Sequence, residues 1–65
     1  MKNRLRELRS ARGWTQAELG ERLGVSRQAV IALESDTHDP SLDLAYRIAA
    51  LFGEAVESIF ENPHA

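Results

Sequence analysis

At 65 residues the chain is long enough for one domain, and it lies near the lower limit for a core that folds without staples. It has no cysteine, which excludes disulfides and cysteine-ligated zinc, and no apolar run approaches the ~20 residues that span a bilayer. The net charge is −2, unevenly spread: residues 1–33 carry seven basic and three acidic side chains, residues 34–65 one basic and seven acidic. Only the first half is suited to face phosphates. The start MKNRLREL lacks the apolar core of a signal peptide, so a cytoplasmic location without a membrane partner is expected.

Five short helical segments follow in chain order. The first is predicted over Asn3–Arg12, with Leu5 and Leu8 on one face and Gly13 as its stop. The second opens at Thr15, because Thr15-Gln16-Ala17-Glu18 has the capping-box pattern. Trp14 precedes that cap and is expected to staple onto Leu19. Ser26 caps a third helix that runs to about Glu34, with Val30 and Leu33 pointing one way and Arg27, Gln28 and Ile31 largely elsewhere. Ser35-Asp36-Thr37-His38-Asp39-Pro40 is a turn by composition. Ser41 caps a fourth helix with a wide apolar stripe (Leu44, Ala45, Ile48, Leu51, Phe52), ended by Gly53. A last helical turn holds Val56, Ile59 and Phe60. No run alternates with the period of a strand.

The informative unit is residues 16–34. Two short helices meet at a tight turn centred on Gly24, and Gly20 leaves room for a close crossing. Leu19, Leu23, Val25, Val30 and Leu33 form a common seam. This register is the helix-turn-helix pattern. The whole chain, 1–65, then reads as a single all-α domain, a compact bundle of four to five short helices.

The runs Arg12-Gly13-Trp14-Thr15-Gln16-Ala17-Glu18-Leu19, Leu23-Gly24-Val25-Ser26-Arg27-Gln28-Ala29-Val30 and Leu33-Glu34 resemble the XRE family. These are regulators similar to the Cro and repressor proteins of lambdoid phages. The likeness continues through Asp39-Pro40-Ser41-Leu42-Asp43-Leu44-Ala45 and Ile59-Phe60, almost the whole chain. It implies a lambda repressor-like DNA-binding fold, a homodimer on a near-palindromic operator in double-stranded DNA, and control of transcription, most simply as a repressor. Arg27 then enters the major groove, where a guanidinium grips guanine O6 and N7, and Gln28 suits adenine N6 and N7. The resemblance gives Gln16 a phosphate contact through its side chain or backbone amide. Thr15 and Ser26 divide between capping and DNA contact, with capping the simpler role. Ile31 divides evenly between touching a thymine methyl and tucking against the following turn. Arg12 is a candidate for the phosphate-facing surface. The resemblance also sets Arg9 against Glu34 as a partly buried ion pair fixing the third helix. Phe60 is the candidate for the dimer interface, and Ile59 for the core.

The sequence departs from the family pattern after Glu34, where an asparagine or lysine, a glycine and a basic residue are usual. Ser35-Asp36-Thr37-His38 lacks the basic residue and adds an acid, which weakens binding and flattens its salt dependence. Asp36 can still adopt a left-handed turn conformation there, less easily than glycine. His38 would restore some attraction below neutral pH. The acidic second half keeps an alternative open, a protein-interaction module of antitoxin or antirepressor type on the same fold. No nucleophile–base pair, phosphate-binding glycine loop or metal-ligand cluster is present, so no enzyme, cofactor or metal site is expected.

Overall fold

The computed structural model describes residues 1–64. Five helices follow one another: α1 Leu5–Ala11, α2 Gln16–Leu23, α3 Arg27–Glu34, α4 Leu42–Phe52 and α5 Val56–Ile59. The caps fall where the hydroxyls do. The Ser26 and Ser41 hydroxyls each accept from the backbone amide three residues on, at 3.1 Å. At α2 both halves of the capping box form: Glu18 N–H donates to the Thr15 hydroxyl and Thr15 N–H to the Glu18 carboxylate, each at 3.0 Å. Each pair occupies an amide that the helix itself leaves without a partner.

The α2–α3 turn depends on two glycines. Gly24 takes φ +73° as the C-cap of α2. A methyl on Gly20 would lie 2.8 Å from the Val25 carbonyl oxygen, so the turn backbone, rather than α3 itself, occupies the space. Arg47 of α4 donates to the Leu23 carbonyl and so caps the end of α2 with a cation, the sign its dipole favours.

Leu5, Leu19, Val30, Leu33, Ile48 and Ile59 are fully buried in a core shared by all five helices. Trp14, expected to staple onto Leu19, has its ring against Phe52, centroids 5.7 Å apart, and so joins the start of α2 to the end of α4. The first helix is shorter than the predicted Asn3–Arg12. Asn3 is extended, pairs in an isolated antiparallel bridge with Phe60, and accepts the Leu5 amide with its side chain. The bridge is the one extended pairing among the described residues, and its hydrogen bonds are Arg4 N–H to Ile59 C=O at 2.9 Å and Glu61 N–H to Lys2 C=O at 2.8 Å.

That pairing corrects one expectation. Phe60 is only 4% exposed and belongs to the core cluster, so it does not offer a dimer surface. The N-terminal segment pairs with it through the backbone bridge.

Candidate nucleic-acid interface

The third helix has two contrasting arcs. Val30 and Leu33 are buried beneath it. Arg27, Gln28 and Ile31 are exposed on the opposite side, and Ile31 falls between the other two by helical periodicity. Among the described residues, no ion pair or side-chain hydrogen bond engages Arg27 or Gln28. Both are free to meet a ligand without breaking an internal contact. Ile31 is 37% exposed, so part of its side chain is open to a ligand and part is covered. Ala32, beside it, is half-buried. Ser26 is occupied by its cap, leaving the helix start ordered and its hydroxyl already used once.

The end of α3 is held from three directions. Arg9 of α1 meets the Glu34 carboxylate with Nε at 2.6 Å and a second guanidinium nitrogen at 3.2 Å, a bidentate pair. The same guanidinium donates to the Trp14 carbonyl at 2.8 Å, which fixes the α1–α2 turn. Gln16, the first residue of α2, donates its carboxamide to Glu34 Oε1 at 3.2 Å. Asn3 donates to the Leu33 carbonyl at 2.9 Å. The Glu34 side chain is 2% exposed and the Arg9 side chain 15%, so this is a largely dry ion pair with its polar atoms satisfied. The hydrogen bond to Glu34 raises the Arg9 pKa, against the opposing effect of burial, so the guanidinium stays charged at any ordinary pH.

The structure therefore brings Arg9, Gln16 and Glu34 into one cluster and leaves Arg27, Gln28 and Ile31 on one open arc. The Gln16 carboxamide is committed to the cluster, so of the two expected sources of a phosphate contact the backbone amide at the start of α2 is the unencumbered one. Thr15 spends its hydroxyl on the capping box. There the Thr15 backbone N–H, and secondarily its hydroxyl, hold the Glu18 carboxyl below the usual glutamate range. Arg12 lies at an aromatic cluster. Its guanidinium lies 5.3 Å from the ring centroids of both Trp14 and Phe52, while Arg22 covers Trp14 at 4.1 Å.

The turn after α3 keeps its shape without the glycine. Asp36 takes φ +63°, held by the Asn3 side chain at 3.3 Å, and Ser35 and Thr37 hydroxyls both donate to the Ala32 carbonyl at 3.2 Å. Sequence reasoning missed Asn3 and Arg47, which brace α3 and α2 through backbone carbonyls. An asparagine near a chain start and one arginine in an acidic stretch carry no pattern that would reveal those partners. No group of three potential metal ligands gathers among the described residues, and no described helix is long and apolar enough to cross a membrane.

Comparison with known proteins agrees with this fold. A family described as helix-turn-helix matches residues 5–59. An uncharacterized HTH-type transcriptional regulator of Methanocaldococcus jannaschii is 50% identical over 60 residues, covering 92% of this chain and 91% of that protein. One of Methanothermobacter thermautotrophicus is 52% identical over 61 residues, covering 92% and 88%, and YgzD of Bacillus subtilis is 45% identical over 60 residues, covering 92% and 91%. The crystal structure of a hypothetical transcription factor, NHTF from Neisseria, superposes with a TM-score of 0.76 at 30% identity, covering 92% of this chain and 69% of that one. The fold and site define a DNA-binding transcriptional regulator. The chain belongs to the helix-turn-helix family of XRE-type regulators.

Proposed function

We propose that this regulator is a sequence-specific repressor that acts in the cytoplasm on nucleoid DNA, as a homodimer on an inverted repeat, without cofactor or catalysis. The supporting observation is the contrast within α3: Arg27, Gln28 and Ile31 lie open on one arc, while Glu34 and Leu33 anchor the opposite side and end. A rigid helix with an unengaged guanidinium and carboxamide suits base edges in the major groove. The backbone amide of Gln16 supplies a phosphate contact, and Thr15, Ser26 and Arg12 add to the phosphate-facing surface only at its margins. One short helix reads few base pairs, so two half-sites about one helical turn apart are needed for specificity.

With Phe60 buried, the dimer surface falls to α4. Leu42 and Tyr46 are 69% and 61% exposed, one helical turn apart on a single face. Asp43 and Arg47 flank them, 3.0 Å apart. Antiparallel packing against α4 of a second copy would set Leu42 of each over Tyr46 of the other and Asp43 of each beside Arg47 of the other. The flanking charges are thus self-complementary. A protein of a different kind covering this same pair is the alternative reading, supported by the acidic turn after α3.

The test is a selection from random duplex DNA at low and near-physiological salt, with the Arg27→Ala/Gln28→Ala variant in parallel. The expected result is an enriched inverted repeat that the variant fails to recover. No enrichment by the folded protein at either salt would reject the repressor reading in favour of the protein-interaction one. Sedimentation of wild type and Tyr46→Glu on the recovered duplex checks stoichiometry, with two copies per duplex expected for the first and one for the second.

A further inference from the structure

We propose that Ile31 makes this regulator a reader of the pyrimidine 5-methyl group, so that one thymine in each half-site is recognised by its methyl, and 5-methylcytosine is preferred to cytosine there. The inference rests on the major-groove reading of α3 and names a chemical feature of the base sequence it selects.

The starting observation is an apolar side chain in the wrong company. The other large apolar residues of α3, Val30 and Leu33, are 0% and 1% exposed, whereas Ile31 is 37% exposed. It stands between Arg27 and Gln28, the two polar side chains of the open arc. Its side chain is only partly covered in this monomer. In the turn that follows, the Ser35 amide uses the Ile31 carbonyl, and the Ser35 and Thr37 hydroxyls use that of Ala32.

An isoleucine side chain has neither donor nor acceptor. It is blind to the hydrogen-bond pattern of the major groove, and the one apolar feature a base edge offers there is a methyl on pyrimidine C5. Ile31 lies four residues beyond Arg27, about 6 Å along the helix axis, which is less than two base-pair steps. The methyl it meets therefore belongs to a pyrimidine within two base pairs of the base read by Arg27. Thymine and 5-methylcytosine carry that methyl; deoxyuridine and cytosine differ from them by its absence. Removing one methyl from an apolar contact lowers affinity about fourfold, and two independent half-sites multiply to about sixteenfold.

The experiment uses the duplex recovered by selection and replaces each thymine of a half-site by deoxyuridine in turn, with the symmetric change in the other half-site. Wild type and Ile31→Ala are titrated against the series. At the sensitive position, thymine·adenine is also exchanged for cytosine·guanine and for 5-methylcytosine·guanine. The expected result is one position where deoxyuridine weakens wild-type binding about sixteenfold per symmetric duplex, equally at two salt concentrations because a methyl carries no charge. At that position 5-methylcytosine binds more tightly than cytosine. Both methyl effects vanish in Ile31→Ala, whose helicity by circular dichroism matches wild type. Indifference to deoxyuridine at every position overturns the inference while leaving the repressor reading intact. A methyl effect that survives in Ile31→Ala overturns it as well. Failure to recover any sequence in the selection removes the repressor reading itself, and this inference with it.

Discussion

The two ends of α3 are built on opposite rules. At its start, Arg27 and Gln28 have no partner among the described residues, and the only side-chain bond is the Ser26 cap. At its end, Glu34 is 2% exposed and takes hydrogen bonds from Arg9 and Gln16, while Asn3 holds the neighbouring Leu33 carbonyl. The difference separates an anchored end from an open one along a helix of eight residues. Rigidity comes from one end, and the contacts left unmade at the other are available to a ligand at no internal cost.

That separation can be broken at the clamp first. Glu34→Ala leaves the Arg9 guanidinium and the Gln16 carboxamide without their shared acceptor in a largely dry site, and is expected to cost about 3 kcal/mol. For a domain this small that lowers the melting temperature by more than about 12 °C, readable by circular dichroism. Next comes the α2–α3 turn. Gly20→Ala drives a methyl to 2.8 Å from the Val25 carbonyl oxygen, part of the backbone that joins the two helices. The expected loss is about 2 kcal/mol, after any gain in helix propensity, measured by urea unfolding.

A smaller effect belongs to the α2 cap. Thr15→Ala removes the hydroxyl bound by the Glu18 amide and should cost about 1 kcal/mol. The Glu18 carboxyl titrates below its ordinary range because the folded capping box favours its charged form. Its contribution is therefore complete above the unfolded glutamate range, near pH 4.3, and is lost as pH falls through the lower folded value. Urea midpoints between pH 6 and pH 3 should fall less in Glu18→Gln than in wild type. The smallest change in stability is expected at the free end. Arg27→Ala/Gln28→Ala should leave the melting temperature within about 2 °C, since nothing internal is lost, while abolishing selection of DNA sequence. A large loss of stability in that variant would erase the proposed division of labour.

How far the sequence could be read follows from the range of the interactions. Thr15, Ser26 and Ser41 cap through amides three residues away, so their helices start where the hydroxyls predict. The seam of Leu19, Leu23, Val30 and Leu33 follows helical periodicity and is buried. Arg9 and Glu34 were paired only through the family likeness, since nothing local links α1 to the end of α3. Phe60 is buried although the sequence offered it as an interface candidate, and its extended pairing with Asn3 spans too few residues to leave an alternation to find. Trp14, Asn3 and Arg47 act on segments far along the chain, through an aromatic ring or a backbone carbonyl that any residue could supply. On α3 the composition of the open arc was legible. The commitment of Gln16 to Glu34 was not, because a glutamine at a helix start suits phosphate and carboxylate alike.

The Trp14 ring sits at a junction, against Phe52 and beneath Arg22, and it is the chain's only tryptophan. Its indole is therefore an optical gauge of one specific event, the docking of the last turn of α4 against the start of α2. Separation of those two segments would strip the ring of Phe52, expose that face to solvent and move its emission toward that of indole in water. An α3 that frayed alone would leave the signal unchanged. Tryptophan fluorescence and helical circular dichroism, followed together through unfolding, would thus resolve whether α3 melts before the rest of the bundle or only with it.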